Sequence, residues 1–189
     1  MATSAVRQVE GRDFPVAGVW QVDPAHTIVG FNTKHMMITT VRGRFEKFEV
    51  KFEIGETPEQ SSVEALIEAI SVTTGIQQRD DHLRSPDFFN AEKYPVIKFK
   101  GTSFKPGADD EWVLTGDLTI KDTTRPVALA VEFGGAGADP WGGSRAAFSA
   151  SATINREDWG LTYNQALETG GWLVGKDIKI EIELEASKV

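Results

Sequence analysis

Three histidines, His26, His35 and His82, are the side chains best suited to metal ligation or general-base work, and the last follows two carboxylates, Asp80 and Asp81. Their spacing works against both uses. On one regular strand His26 and His35 face opposite sides and stand about 30 Å apart at ~3.3 Å per residue. On a helix Asp80, Asp81 and His82 project in three directions, because only i, i+3 and i, i+4 neighbours share a face. The chain has no Cys, no HExxH motif and no phosphate loop. The stretch GGSRAAF at 142–148 lacks the second Gly and the helical pattern of a serine-nucleophile elbow. No catalytic residue and no metal ligand is therefore assigned. What remains is binding chemistry. Arg79, Arg84, Lys93, His35 and Arg156 can donate to phosphate or quinone oxygens, and eleven Phe with five Trp supply apolar surface. Asp80 with Arg84, and Asp81 with Arg84 or Ser85, also have the spacing of ordinary helix-supporting pairs.

The elements that must position these groups read as strands. Phe48, Val50, Phe52 and Ile54 alternate with Lys47, Glu49, Lys51 and Glu53, and Ile178, Ile180, Ile182 and Leu184 alternate with Lys179, Glu181, Glu183 and Glu185. Period two lines one face of a strand, whereas a helix would scatter the same residues around its cylinder. Further strands are predicted over 28–35, 63–72, 96–102, 112–120, 127–133 and 146–154. Asp23-Pro24, Thr57-Pro58, Lys105-Pro106-Gly107, Arg125-Pro126 and the Gly/Ala/Pro run 134–143 separate them with turn chemistry. Strands without intervening helices make an antiparallel meander. One short helix near residues 80–91 is the exception: its first turn is acidic, Pro86 opens a second turn, and Pro95 forbids continuation. It carries Phe88 and Phe89 toward the strands. Gly30, Gly43, Gly101 and Gly116 interrupt strands, leaving room for a ligand or marking bulges.

At 189 residues the chain fits one domain, with 1–18 an N-terminal extension and 19–189 the domain proper. A net charge of -8 repels phosphate backbones, which argues against nucleic acid. Charges are scattered through MATSAVRQVEGRDFPVAG, and no later run reaches the roughly 18–20 apolar residues of a membrane span. The expectation is a cytoplasmic protein with no integral membrane segment. A homodimer through exposed edge strands and a monomer are both open.

Four segments in order, HTIVGFNTKHMMITTVRGRF (26–45), RDDHLRSPDFFNAEKYPVIKF (79–99), GDLTIKDTTRPV (116–127) and DPWGGSRAAF (139–148), carry a family pattern. From about Trp20 to about Ala186 the chain resembles the YceI-like family of polyisoprenoid-binding proteins. The resemblance implies an all-β, lipocalin-like antiparallel barrel of about eight strands that holds a long isoprenoid lipid, such as a polyprenyl quinone or polyprenyl phosphate, with no other cofactor. Eight strands enclose space for either a filled core or a cavity; alternation alone favours the filled core, because apolar faces are ordinarily core, and the resemblance reverses that preference. On the lipid reading the wall residues are Phe31, Phe45, Phe48, Phe52, Phe88, Phe89, Phe99, Phe133 and Phe148, with Met36 and Met37 as adaptable fillers. Trp159 reads as an end-cap, and Trp172 as a plug or ligand contact. His35, Arg79, Arg84 and Arg156 are the candidate headgroup contacts. The competing readings are an enzyme acting on an isoprenoid or quinone, and a filled barrel working through its surface.

Overall fold

The computed structural model describes residues 5–140, 142–168 and 170–189. Its strands are β1 Val6–Val9, β2 Arg12–Pro15, β3 Gly18–Val22, β4 Ile28–His35, β5 Thr39–Phe45, β6 Phe48–Ile54, β7 Ser62–Glu68, β8 Val72–Thr73, β9 Val96–Pro106, β10 Trp112–Ile120, β11 Thr123–Ala138, β12 Ser144–Asn155 and β13 Val174–Lys188, with one helix, α1, over Gln77–Arg84. Three pairs act as single interrupted strands. Between β3 and β4 the chain makes a 3-10 turn at Pro24–His26, where Asp23 accepts from the Ala25 N–H; between β7 and β8 it makes another at Ala69–Ser71; β5 and β6 are parted by two residues, Glu46 and Lys47.

Counted this way, and with the separate β1–β2 hairpin set apart, eight strands run in chain order, each antiparallel to the next, and β13 pairs with both β12 and β3/β4. The barrel is closed. Closure leaves the main sheet without a free edge strand along its length, while β1 and β2 form a separate two-stranded sheet. The predicted alternation is visible in β6, where Phe52 and Ile54 are buried while Lys51 and Glu53 are exposed.

Three sequence expectations change. The run 134–143, expected as a loop, is strand as far as Ala138; the register shifts between Phe133 and Gly135, and Gly135 takes φ +115° there, so a bulge absorbs the glycines. Pro126, expected as a strand separator, lies inside β11 opposite Asp117. Its pairing with β12 begins only at Ala130, so the missing N–H leaves no ladder position empty on that side. The helix ends at Arg84 and residues 85–89 continue as hydrogen-bonded turns, because Pro86 cannot extend it.

Asp80 does not pair with Arg84. It is buried, and accepts from the Thr74 N–H at 2.7 Å, the Thr74 hydroxyl at 2.5 Å and the Thr73 hydroxyl at 3.0 Å, which fastens α1 to β8. Burial pushes its carboxyl up, but those donors outweigh burial and hold it below the usual carboxylate value. Arg84 pairs with Asp81 at 3.0 Å and donates to the carbonyls of Ile70 and Val72.

The N-terminal hairpin β1–β2 covers one end of the barrel. Phe14 is fully buried there, 4.7 Å from the Trp112 ring and 5.8 Å from the Phe104 ring. Arg7 and Arg12 clamp the hairpin by donating to the carbonyls of Gly55, Glu56, Glu111 and Gly107. These rings join Trp20, Phe52 and Leu129 in one apolar cluster, and a second, containing Phe45, Val72, Phe88, Leu118 and Trp159, fills the opposite end beneath α1.

Candidate functional site

Between the two clusters lies a cavity of about 280 Å³, at the lower edge of the roughly 300–1,000 Å³ typical of small-molecule sites. Phe31, Phe45, Phe52, Phe88, Phe89, Phe99 and Phe148 line it. So do Leu118, Ile120, Leu129 and Val131, whose alternation in β10 and β11 marked the inward face although they were not singled out from sequence.

Two glycines shape the wall by receiving rings, which changes the reading that strand glycines leave room for a ligand. The Phe31 ring lies across Gly43, where a Cβ would meet Cζ at 2.5 Å, and the Phe99 ring lies across Gly116, where a Cβ would meet Cζ at 2.3 Å. The space is already taken by the aromatic side chains that face the cavity.

Five expected wall residues lie outside the lining. Met36 and Met37 occupy the turn between β4 and β5 and are exposed, because the hairpin reverses there beyond the wall. Phe48 sits just after the Glu46-Lys47 break, where it packs against the rims of both clusters and borders an outer depression with Pro24 and Leu66. Phe133 stands at the β11 bulge, its ring 5.3 Å from Phe148. Trp172 is exposed on the segment before β13. Trp159 is buried in the helix-side cluster and donates its indole N–H to the Leu118 carbonyl at 3.0 Å, as an end-cap does.

Of the four candidate headgroup residues, Arg156 alone lines the cavity. Arg79 is spent on the hydroxyl and carbonyl of Thr74, Arg84 is held as described above, and His35 ends β4 opposite Val174 and Thr39. Arg156 opens the 3-10 turn Arg156–Trp159 after β12, where Asn155 accepts from the Glu157 N–H. Only 3 % of it is exposed. Its Nε donates to the Gly175 carbonyl at 2.9 Å and its Nη1 to the Leu161 carbonyl, while Nη2 is buried with no hydrogen-bond partner among the described residues. The Phe88 ring centroid lies 5.9 Å from the guanidinium carbon. Burial pushes the guanidinium below its ordinary value, and Glu157 nearby opposes the shift. A buried cation with an unused donor at one end of an apolar cavity can take an acceptor oxygen on an otherwise hydrocarbon molecule. Nothing in the sequence marks this burial, since an Arg that follows a strand reads as exposed.

His82 faces Asp87 at 2.8 Å and presents ring edges to Phe88 and Tyr163, outside the cavity lining. Among the described residues one group has metal-like spacing, Asp23, His26 and Glu185 on the outer surface. Arg145 already occupies it, reaching Asp23 at 3.0 Å and pairing with Glu185. No described helix is long and apolar enough to cross a membrane.

Comparison with known proteins agrees with this architecture. Residues 20–186 match the YceI-like domain. A UPF0312 protein of Staphylococcus aureus (strain N315) is 39% identical over 168 residues, which cover 87% of this chain and 95% of that protein. The crystal structure of the Campylobacter jejuni YCEI protein superposes with a TM-score of 0.70 at 30% identity, over 82% of this chain and 90% of that one. A polyisoprenoid binding domain from Saccharophagus degradans, implicated in plant cell wall breakdown, shares the fold at a TM-score of 0.61 and 14% identity, over 90% of this chain and 98% of that one. A closed eight-stranded barrel with one helix and an apolar interior, over the full span of the domain match, makes this chain a member of the YceI-like family.

Proposed function

We propose that this protein binds a long-chain polyisoprenoid lipid, a polyprenyl quinone or polyprenyl phosphate, inside the barrel and acts as its carrier, store or sensor. The observation that carries the reading is the cavity: its wall is mainly aromatic and aliphatic, and among the described residues Arg156 is its single cationic side chain. The S. degradans domain described above as binding polyisoprenoid supports the choice of ligand class. Each buried CH₂ is worth about 0.8 kcal/mol gross, so several isoprene units exceed the roughly 18–21 kcal/mol at which non-covalent affinity levels off. Chain-length selection therefore comes from where the cavity ends, and headgroup selection from Arg156. The cavity speaks against a filled barrel, and no described cluster of acid, base and nucleophile lines it to favour an enzyme.

Native mass spectrometry of the purified protein, followed by extraction and mass analysis, tests the lipid itself: stoichiometric isoprenoid is expected. A mass that stays apo after incubation with polyprenyl quinones and phosphates would refute the reading. Arg156→Met tests the headgroup. A hydrogen bond to a charged group is worth ~1.5–3 kcal/mol, so polyprenyl phosphate should bind about tenfold to a hundredfold more weakly, while a headless isoprenoid hydrocarbon binds as before. Equal loss for both ligands would remove Arg156 from the site.

A further inference from the structure

The tip of the β4–β5 hairpin is built against its own backbone preference. The Ile38 N–H donates to the His35 carbonyl at 3.1 Å, and Met36 and Met37 between them take φ +51° and +61°. Two successive positive φ values define the tight hairpin turn that Asn-Gly fills best; a pair of methionines adopts it at a conformational cost that Gly avoids. Packing does not repay that cost, because Met36 is 41% exposed, Met37 61% and Ile38 76%.

A second segment extends the same surface. The Met36 N–H donates to the Leu173 carbonyl at 2.8 Å, and the Met37 thioether lies over Gly171, where a Cβ would meet its Cε at 2.3 Å. Trp172, between those two contact points, is 49% exposed. Four large apolar side chains therefore crown one end of the barrel. The patch is continuous with the cavity: Val174, two residues after Trp172, lines the cavity and pairs with His35, and the β4–β13 register slips between Val174 and Ile178. Charge follows the same geography. In a chain of net charge -8, residues 24–45 contain no acid; Lys34 stands opposite Thr40 beside the tip and Arg42 further along β5, whereas Arg44 at the far end of β5 pairs with Glu46 at 3.3 Å, and Glu168 is the nearest acid in sequence to Trp172 on its N-terminal side.

We infer that Met36, Met37, Ile38 and Trp172 form a surface that docks on a lipid bilayer beside the cavity. Exposed apolar patches of this kind mark interaction sites, Trp prefers the membrane interface, and lysines and arginines near an anionic bilayer add attraction. A carrier of a membrane lipid needs such a contact, and in that purpose alone the inference rests on the proposed function. The strained turn is then explained, since Asn-Gly would be easier to form but would present nothing apolar.

The experiment is co-sedimentation with vesicles of phosphatidylcholine containing a minority of phosphatidylglycerol, using wild type, Met36→Asn/Met37→Gly and Ile38→Asp, alongside native mass spectrometry for lipid retained in the barrel. The double variant should melt at the same or a higher temperature, because its turn is relieved. It should nevertheless partition to vesicles roughly tenfold less, as should Ile38→Asp, with retained lipid unchanged in both. A structural role for the methionines predicts the reverse, a lower melting temperature with normal partition. Wild type that stays in the supernatant, or variants that sediment equally with it, would overturn the inference, as would a concentration-dependent dimer that the variants dissolve, which would give the surface to a second copy. Vesicle binding by a protein that holds no isoprenoid would sustain the docking surface while refuting the lipid cargo.

Discussion

Gly43→Ala probes the wall at one atom. The backbone there is free of positive φ, so the new methyl adds no torsional strain of its own, and removing a glycine should favour the folded state by ~0.4–1 kcal/mol through the unfolded chain. Against this, its Cβ would lie 2.5 Å from Phe31 Cζ and 3.0 Å from both Cε atoms, whereas ordinary contact begins at 3.4 Å. The ring must retreat by about 0.9 Å, toward the cavity it lines and the Phe45 ring 5.7 Å away. Overpacking of this size costs ~1–3 kcal/mol. The net expectation is a loss of about 1–2 kcal/mol, or roughly 2–8 °C in melting temperature for a chain of this length. Urea unfolding of wild type, G43A, F31A and G43A/F31A separates the clash from everything else. The double variant should be more stable than the two single losses added together, by about 1 kcal/mol or more, because the methyl then occupies space the ring has vacated. A neutral or stabilising G43A, additive with F31A, would refute the claim that Phe31 is held against Gly43.

Two further perturbations test other parts of the barrel. Phe14→Ala should cost about 3–5 kcal/mol in urea unfolding, since the ring is fully buried against Trp112 and Phe104; a loss below about 1 kcal/mol would mean that the hairpin does not seal that end. Asp23 is held down at about 2 by hydrogen bonds from His26, Arg145 and the Ala25 N–H, and His26 is raised above 6.5 by its bond to Asp23. Asp23 thus contributes stability that is present above pH 3.8 and lost as pH falls toward about 2, and His26 contributes stability that is present below pH 6.5 and lost as pH rises through its raised value. Their joint contribution should be largest between about pH 4 and 6.5. An NMR titration of His26 should show the raised value in wild type and its return toward 6.5 in Asp23→Asn; an unshifted His26 in wild type would remove the pair from the pH dependence.

The strand plan was legible because alternation is a local signal. β4, β6 and β10 begin and end where the sequence places them, at Ile28 and His35, Phe48 and Ile54, Trp112 and Ile120. Barrel closure was not local: it depends on β13 reaching β12 on one side and β3/β4 on the other, and only the family pattern implied it. Breakers misled where tertiary context tolerated them, as at Pro126 facing a neighbour on one side and Gly135 inside a bulge. For the site, alternation gives the face but not the depth, which explains the divided outcome. Phe52 and Phe99 line the cavity, while Phe48, on the same face of β6 as Phe52, sits beside a strand break and Phe133 beside a bulge. Met36 and Met37 were misplaced because hydrophobicity reads as interior by default, and two apolar residues at a hairpin tip carry no sequence mark that they face outward.

The two ends of the barrel differ in kind, and that difference orients the proposed ligand. At the hairpin end Phe14, Trp20, Phe104 and Trp112 pack together, and the cations nearby, Arg7 and Arg12, spend their donors on backbone carbonyls on the outer side. A headgroup oxygen placed there would lose its water without gaining a donor, at a cost of about 2–7 kcal/mol. At the opposite end Arg156 holds an unused N–H, and α1, which covers that end, is fastened by polar contacts from Asp80 and Arg84. Apolar burial alone is non-directional and would accept the chain either way round. The asymmetry of donors, not the area of the wall, would send the hydrocarbon tail of the proposed lipid toward Phe14 and hold its polar end beneath the helix, on the side of the barrel that also bears the exposed tip of β4 and β5.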